Sequence, residues 1–304
     1  MKQVMRLSSS TIALSALLTL LIIVSSCGSN DEEAQKVDNI IEKMIDSGNV
    51  ALGISGKVFV IPSPIQTAVL IQKSGARYDK GILNTPDKLS AYSTKFKKCL
   101  NLGVYGADLG YCTLYDQTQD ALGYFNTTNK LATDLGLVSV FDKTLIDRFV
   151  KNVGIKDSVL SLVSDAYRSS NDFLKNNERN EEAALILAGG WIETLHFALN
   201  VQKSKTNLDV ARRIAEQKST LNNLISLLSQ NSGGGSEYAD LLNMLNDLKS
   251  DYDKVKFVYQ YRQSVTDEAT KTTTINCVTD VAMPSEVSES ISEKVATLRN
   301  YVIT

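Results

Sequence analysis

Histidine is almost absent from this chain: of 304 residues, only His196 carries an imidazole. A two-histidine zinc helix is thereby excluded, as is a di-iron bundle, which needs Glu-x-x-His on two helices. Glu193 and His196 make one such pair, and its ordinary role is a satisfied, partly buried histidine. A serine hydrolase would have to use the same ring, and no Gly-x-Ser-x-Gly is present. "GISGK" at 53–57 has the wrong order for that elbow. It also fails as a phosphate loop, since Ala51 replaces the first glycine and Val58 the magnesium-binding hydroxyl. Cysteine is scarce too, with no Cys-x-x-Cys, so neither a metal nor a cofactor site is expected. Cys99 and Cys112 fall on one expected helix about 20 Å apart, whereas a disulfide needs Cα atoms within about 7 Å. An internal disulfide must therefore use Cys277 and leave one thiol; the plain expectation for all three is burial as small hydrophobes. No basic stripe exists, which argues against nucleic acid. Beyond the N-terminus no apolar run approaches the length of a span.

What is present begins with an address. Lys2 and Arg6 precede Ile12–Val24, an apolar run broken only by Ser15 and Thr19, and then Ser25, Ser26 and Cys27 follow. That order is a secretory signal. At ~1.5 Å per residue its core covers about 20 Å, short of the roughly 30 Å bilayer interior. Val24-Ser25-Ser26-Cys27 resembles the lipobox of bacterial lipoproteins. The resemblance implies diacylglyceryl transfer to Cys27, cleavage before it and acylation of the new amino group. A plain signal peptide with an incidental cysteine is the alternative. Asp31-Glu32-Glu33 resembles the surface-export tract of Bacteroidota lipoproteins, which implies an outer-membrane anchor facing the exterior; the periplasmic face, with a merely solvated tether, stays open. The mature part resembles a helical lipoprotein domain. Both signal cations lie within residues 1–26 and all 34 acidic residues lie outside, so the mature chain is more acidic than the whole.

Apolar residues then recur mostly at three and four. Helices are expected over 31–46, 64–75, from Thr85-Pro86-Asp87 to about 116, and over 118–135, 142–153 and 157–176. Others follow at 180–203, 207–230 and 237–263, and from Pro284 onward. "VALGISGKVFVIPSP" reads as a short strand or buried loop, and "TKTTTINCVTD" as extended or loop. The expected fold is all-α: one domain of nine to ten helices in antiparallel hairpins, with no convincing strand pair. Residues 1–26 form the signal, 27–36 a lipidated tether and 37–304 the domain, with a flexible break near 231–236. "LGYCTLYDQTQDALGYF", 109–125, resembles one tetratricopeptide unit without a second copy, which points to helix-hairpin geometry alone.

Two faces of the helix near residue 108 stand out. Gly103, Gly106, Gly110 and Thr113 share one face; each glycine costs roughly 1 kcal/mol of helix stability, so close approach of Gly189-Gly190 is expected in return. Tyr105, Asp108, Cys112 and Tyr115, flanked by Tyr111, share another. With Trp191 as a wall they are the candidate ligand-binding residues, the plainer reading being interhelix packing with internal hydroxyl partners. Asp108, Glu193, Glu181 and Glu182 keep a carboxylate-based hydrolase open. The leading expectation is a non-enzymatic binding or accessory lipoprotein in an envelope complex, with a stand-alone solute- or glycan-binding protein as the alternative.

Overall fold

The computed structural model describes residues 49–54, 57–62, 64–140, 142–204, 206–230, 235–268, 271–274 and 276–304. The lipobox, Cys27, the tether, the expected helix at 31–46 and most of the glycine break lie outside the described residues. The chain divides at residues 44 and 45 into two units; the second carries everything below.

An antiparallel hairpin, β1 (Asn49–Ile54) with β2 (Lys57–Pro62), leads into α1 (Pro64–Lys73). Then come α2 (Lys95–Leu114), α3 (Thr118–Asp134), α4 (Lys143–Asn152), α5 (Lys156–Asn176), α6 (Asn180–Ser204), α7 (Leu208–Leu228) and α8 (Gly235–Tyr252). A two-tier ribbon follows: β3 (Lys256–Gln260) pairs with β6 (Val278–Ala282), and β4 (Val265–Asp267) with β5 (Thr272–Thr274), both antiparallel. Helix α9 (Ser285–Ile303) completes an all-α body of nine described helices. Three short strand pairs are a correction to the expectation of none.

Side-chain caps set several starts. Asp142 accepts from Leu145 N–H at 2.9 Å and opens α4. Asn207 accepts from Asp209 and Val210 N–H at 2.9 and 3.1 Å and opens α7. Such caps contribute about 1 kcal/mol each. At Thr85 the same chemistry misleads: its side chain makes no cap bond, and Pro86–Ala91 is only a 3-10 stretch. The true cap is Thr94, whose hydroxyl accepts from Lys97 N–H at 3.2 Å. Gly75 and Gly136 end α1 and α3 with φ of +78° and +72°, the left-handed conformation glycine adopts without strain.

Helices α2 and α6 form the axis of the body. Helix α6 is long and apolar enough to cross a membrane by length and composition, contrary to the expectation that no second run would be, but 89% of that window is buried inside the protein. A helix apolar on every side is a core helix here. Its crossing with α2 is close. A Cβ on Gly103 would sit 1.9 Å from Ile186 O and 2.6 Å from Gly190 N, and one on Gly189 would sit 1.8 Å from Leu100 O. All three obstacles are backbone, so no rotamer change relieves them. Gly106, one turn along, lines a cavity of about 40 Å³ with Phe125, Phe149 and Ile186. Helix α8 buries Leu241, Leu245, Leu248 and Tyr252 completely, each contributing about 1.5–3 kcal/mol.

Candidate functional site

Helix α2 brings the expected tyrosine face together, and the chain covers it with its own residues 76–85. Tyr105 and Tyr111 are fully buried. The Tyr105 hydroxyl donates to Thr85 O at 2.9 Å and that of Tyr115 to Ala76 O at 2.8 Å, while Tyr111 accepts from Asp79 N–H at 3.2 Å. Tyr78 stacks on Tyr111 with ring centroids 5.6 Å apart, and Tyr111 lies 4.8 Å from both Tyr115 and Phe197. Burial, before any other cause, raises all three phenols of this face above their ordinary range. Trp191 is placed apart from them. It is buried, and its indole N–H donates to Gln217 on α7 at 2.9 Å.

Asp108 occupies the third position of that face and meets Glu193 of α6 in the core, both fully buried. One cation serves the two carboxyls. Arg299 of α9 grips Glu193 through Nε and a terminal nitrogen, both at 2.6 Å, and donates to Ile82 O at 2.9 Å. Asp108 Oδ2 accepts from Asn84 N–H at 3.3 Å, and the Asp108 carboxyl is also hydrogen-bonded to that of Glu193. Burial and the nearby Glu193 charge push Asp108 well above the carboxylate range, so it keeps its proton and Glu193 holds the ion pair. Asn84 Nδ2 extends the network to Tyr92 at 3.0 Å and Asn101 at 3.3 Å. Those two continue to the carbonyls of Ile303 and Val302 on α9. Asp108, Glu193 and Arg299 thus join α2, α6 and α9.

His196 is half-buried one turn beyond Glu193. Desolvation, and then Arg299, push it down to about 3, so the ring is neutral at physiological pH. Glu193 is committed to Arg299, and no group of three His, Cys, Asp or Glu able to hold a metal occurs among the described residues. Glu182 is paired with Lys95 at 2.6 Å and with Arg179. Cys99 and Cys112 are buried free thiols, pushed up to about 12 by burial, while Cys277 is a free thiol on the ribbon.

The ribbon carries functional candidates that sequence reasoning assigned to a helix. Pairing Phe257 with Val281 and Tyr259 with Thr279 puts residues 257 and 259 on one face, since side chains alternate along a strand, and Tyr261 follows just beyond the strand's end. That face lies in solvent: Phe257 is 43% exposed and Tyr259 63%, with Tyr261 at 75% and Val265 at 62% further out. The opposite face carries Gln260, which donates to Asp280. A two-stranded sheet ordinarily needs packing on one face to be stable; here both faces of β3 are exposed, Val258 on the opposite face at 50%. The signal was the alternation in "KFVYQYR".

No protein family, curated protein sequence or solved structure matches this chain.

Proposed function

We propose that this chain is a lipid-anchored outer-membrane protein, tethered through Cys27 and facing the cell exterior, that acts as a non-enzymatic accessory or assembly subunit. Its aromatic ribbon, residues 256–282, is the docking arm for a protein partner. The observation that carries this reading is the exposure of Phe257, Tyr259 and Tyr261 in a row along a ribbon whose strands, among the described residues, pair with each other alone. Exposed aromatics in a row mark interaction surfaces, and aromatic residues are enriched where partners bind. The outer edges of the two-stranded ribbon also offer N–H and C=O groups for strand addition. The body behind it supplies a rigid mount, because α8 and α9, which flank the ribbon in sequence, pack against one another.

The test is affinity capture of the lipidated protein from gently cross-linked native membranes, run beside Phe257→Ser/Tyr259→Ser/Tyr261→Ser. A stoichiometric partner that the triple variant loses, while keeping its melting temperature, supports the reading. A partner retained by the variant, or none for either protein, defeats it. Labelling intact cells with an impermeant reagent separately tests the exterior face.

A further inference from the structure

A second site lies away from the ribbon. The turn after α1, residues 74–79, and the end of α6, residues 200–204, with the α7 cap Asn207, line a groove of about 860 Å³. That is within the roughly 300–1,000 Å³ of small-molecule sites.

Each of the two segments contributes an exposed cation, Arg77 from one and Lys203 from the other. Two other cations near the tyrosine cluster are engaged: Lys80 pairs with Asp120 at 2.6 Å and Arg299 with Glu193. Arg77 and Lys203 make no hydrogen bond or ion pair with the described residues. Asp79 lines the same groove and is the one carboxylate there, with Oδ1 accepting from Gly81 N–H at 2.8 Å. Two cations against one anion leave the groove positive.

The neutral groups have spare capacity of both kinds. Asn200 uses its amide N–H on His196 O at 2.8 Å, which leaves Oδ1 as an acceptor. Asn207 uses Oδ1 to cap α7, which leaves its NH₂ as a donor. Tyr78, half-buried and stacked on the buried Tyr111, adds aromatic carbon to the wall. Unpaired cations suit a carboxylate, a free donor and acceptor suit hydroxyls, and a tyrosine wall suits the apolar face of a ring.

We propose that this groove binds an acidic sugar, with Arg77 and Lys203 taking the carboxylate and Asn200 and Asn207 the hydroxyls. The site is independent of the docking arm. Lys203 also lies in the last turn of α6, where a cation complements the helix dipole. Its substitution is therefore compared by binding and not by stability alone.

The experiment is a thermal-shift and calorimetric series on the full chain in detergent with digalacturonate, a neutral disaccharide of the same size, and inorganic phosphate at matched concentrations. The proposal expects a rise in melting temperature with digalacturonate only. Binding should weaken about tenfold for Arg77→Ala and for Lys203→Ala, which is the effect of one charged hydrogen bond. The unliganded melting temperature of Arg77→Ala should match wild type, as the residue is exposed. An equal response to the neutral sugar overturns the role of the cations, and an equal response to phosphate overturns the sugar. No response at all, or full affinity in the double variant, overturns the site.

Discussion

The α2–α6 crossing and the 256–282 ribbon are opposites in how this chain uses side chains. At the crossing the missing side chain is the structural element, since Gly103 and Gly189 let two backbones meet where any Cβ would collide. On the ribbon large side chains stand out with nothing over them. A region that rejects even a methyl group has one arrangement, fixed by the chain itself. A region that shows aromatics to solvent has contacts still to make. Stability is concentrated in the first, and recognition is available in the second.

Substitutions at the two places should separate accordingly. The largest effect is expected for Arg299→Met, which leaves Glu193 buried without its partner; the loss should be about 3–5 kcal/mol in chemical denaturation. A variant within 1 kcal/mol of wild type, at about the scale of an exposed pair, would show the core network to be dispensable. Gly103→Ala and Gly189→Ala should each lose about 3 kcal/mol, the upper end of overpacking, because the obstacles are backbone atoms.

A smaller effect belongs to pH. Asp108 titrates near about 3.9 when unfolded and holds its proton to higher pH when folded. Above that value the folded chain binds more protons, so its stability falls as pH rises toward the folded pKa. Asp108→Asn removes this slope and should gain on the wild type as pH rises above about 4; parallel curves would mean Asp108 is ionised in the core. The least change is expected from the triple ribbon variant, within about 0.5 kcal/mol of wild type, as for exposed surface positions. A larger drop would turn the ribbon from a recognition element into part of the core.

Helix periodicity and caps made the body legible. Asn207 and Asp142 sit where the sequence placed the starts of their helices, and each caps its own first turn. The Gly103–Gly189 approach was also readable, because several glycines on one helical face need a reason. Thr85 failed because a cap pattern describes local chemistry only. Tertiary bonds claim the following residues: Tyr92 reaches Ile303 O at 3.3 Å, and the helix restarts at Thr94. The ribbon was missed because the stripe of α8 runs on to the buried Val255, so the change of period from 3.6 to 2 was hidden just where it occurs. The tyrosine spacing was legible as a face, but not its cover, because residues 76–85 lie in a loop with no periodicity to read. Nothing in the sequence placed Arg299 beside Glu193, since the two are 106 positions apart.

That long reach has a consequence for biosynthesis. The bonds closing the core run from Glu193 to a residue 106 positions away and from Tyr92 to one 211 positions away. Contacts of such separation form late in folding. A chain that stops short of residue 299 therefore holds two carboxyls in its interior with no guanidinium to answer them, and closing around them costs it stability. Arg299 acts as a length gauge, since the ion pair that steadies the core closes after the chain has been made past it.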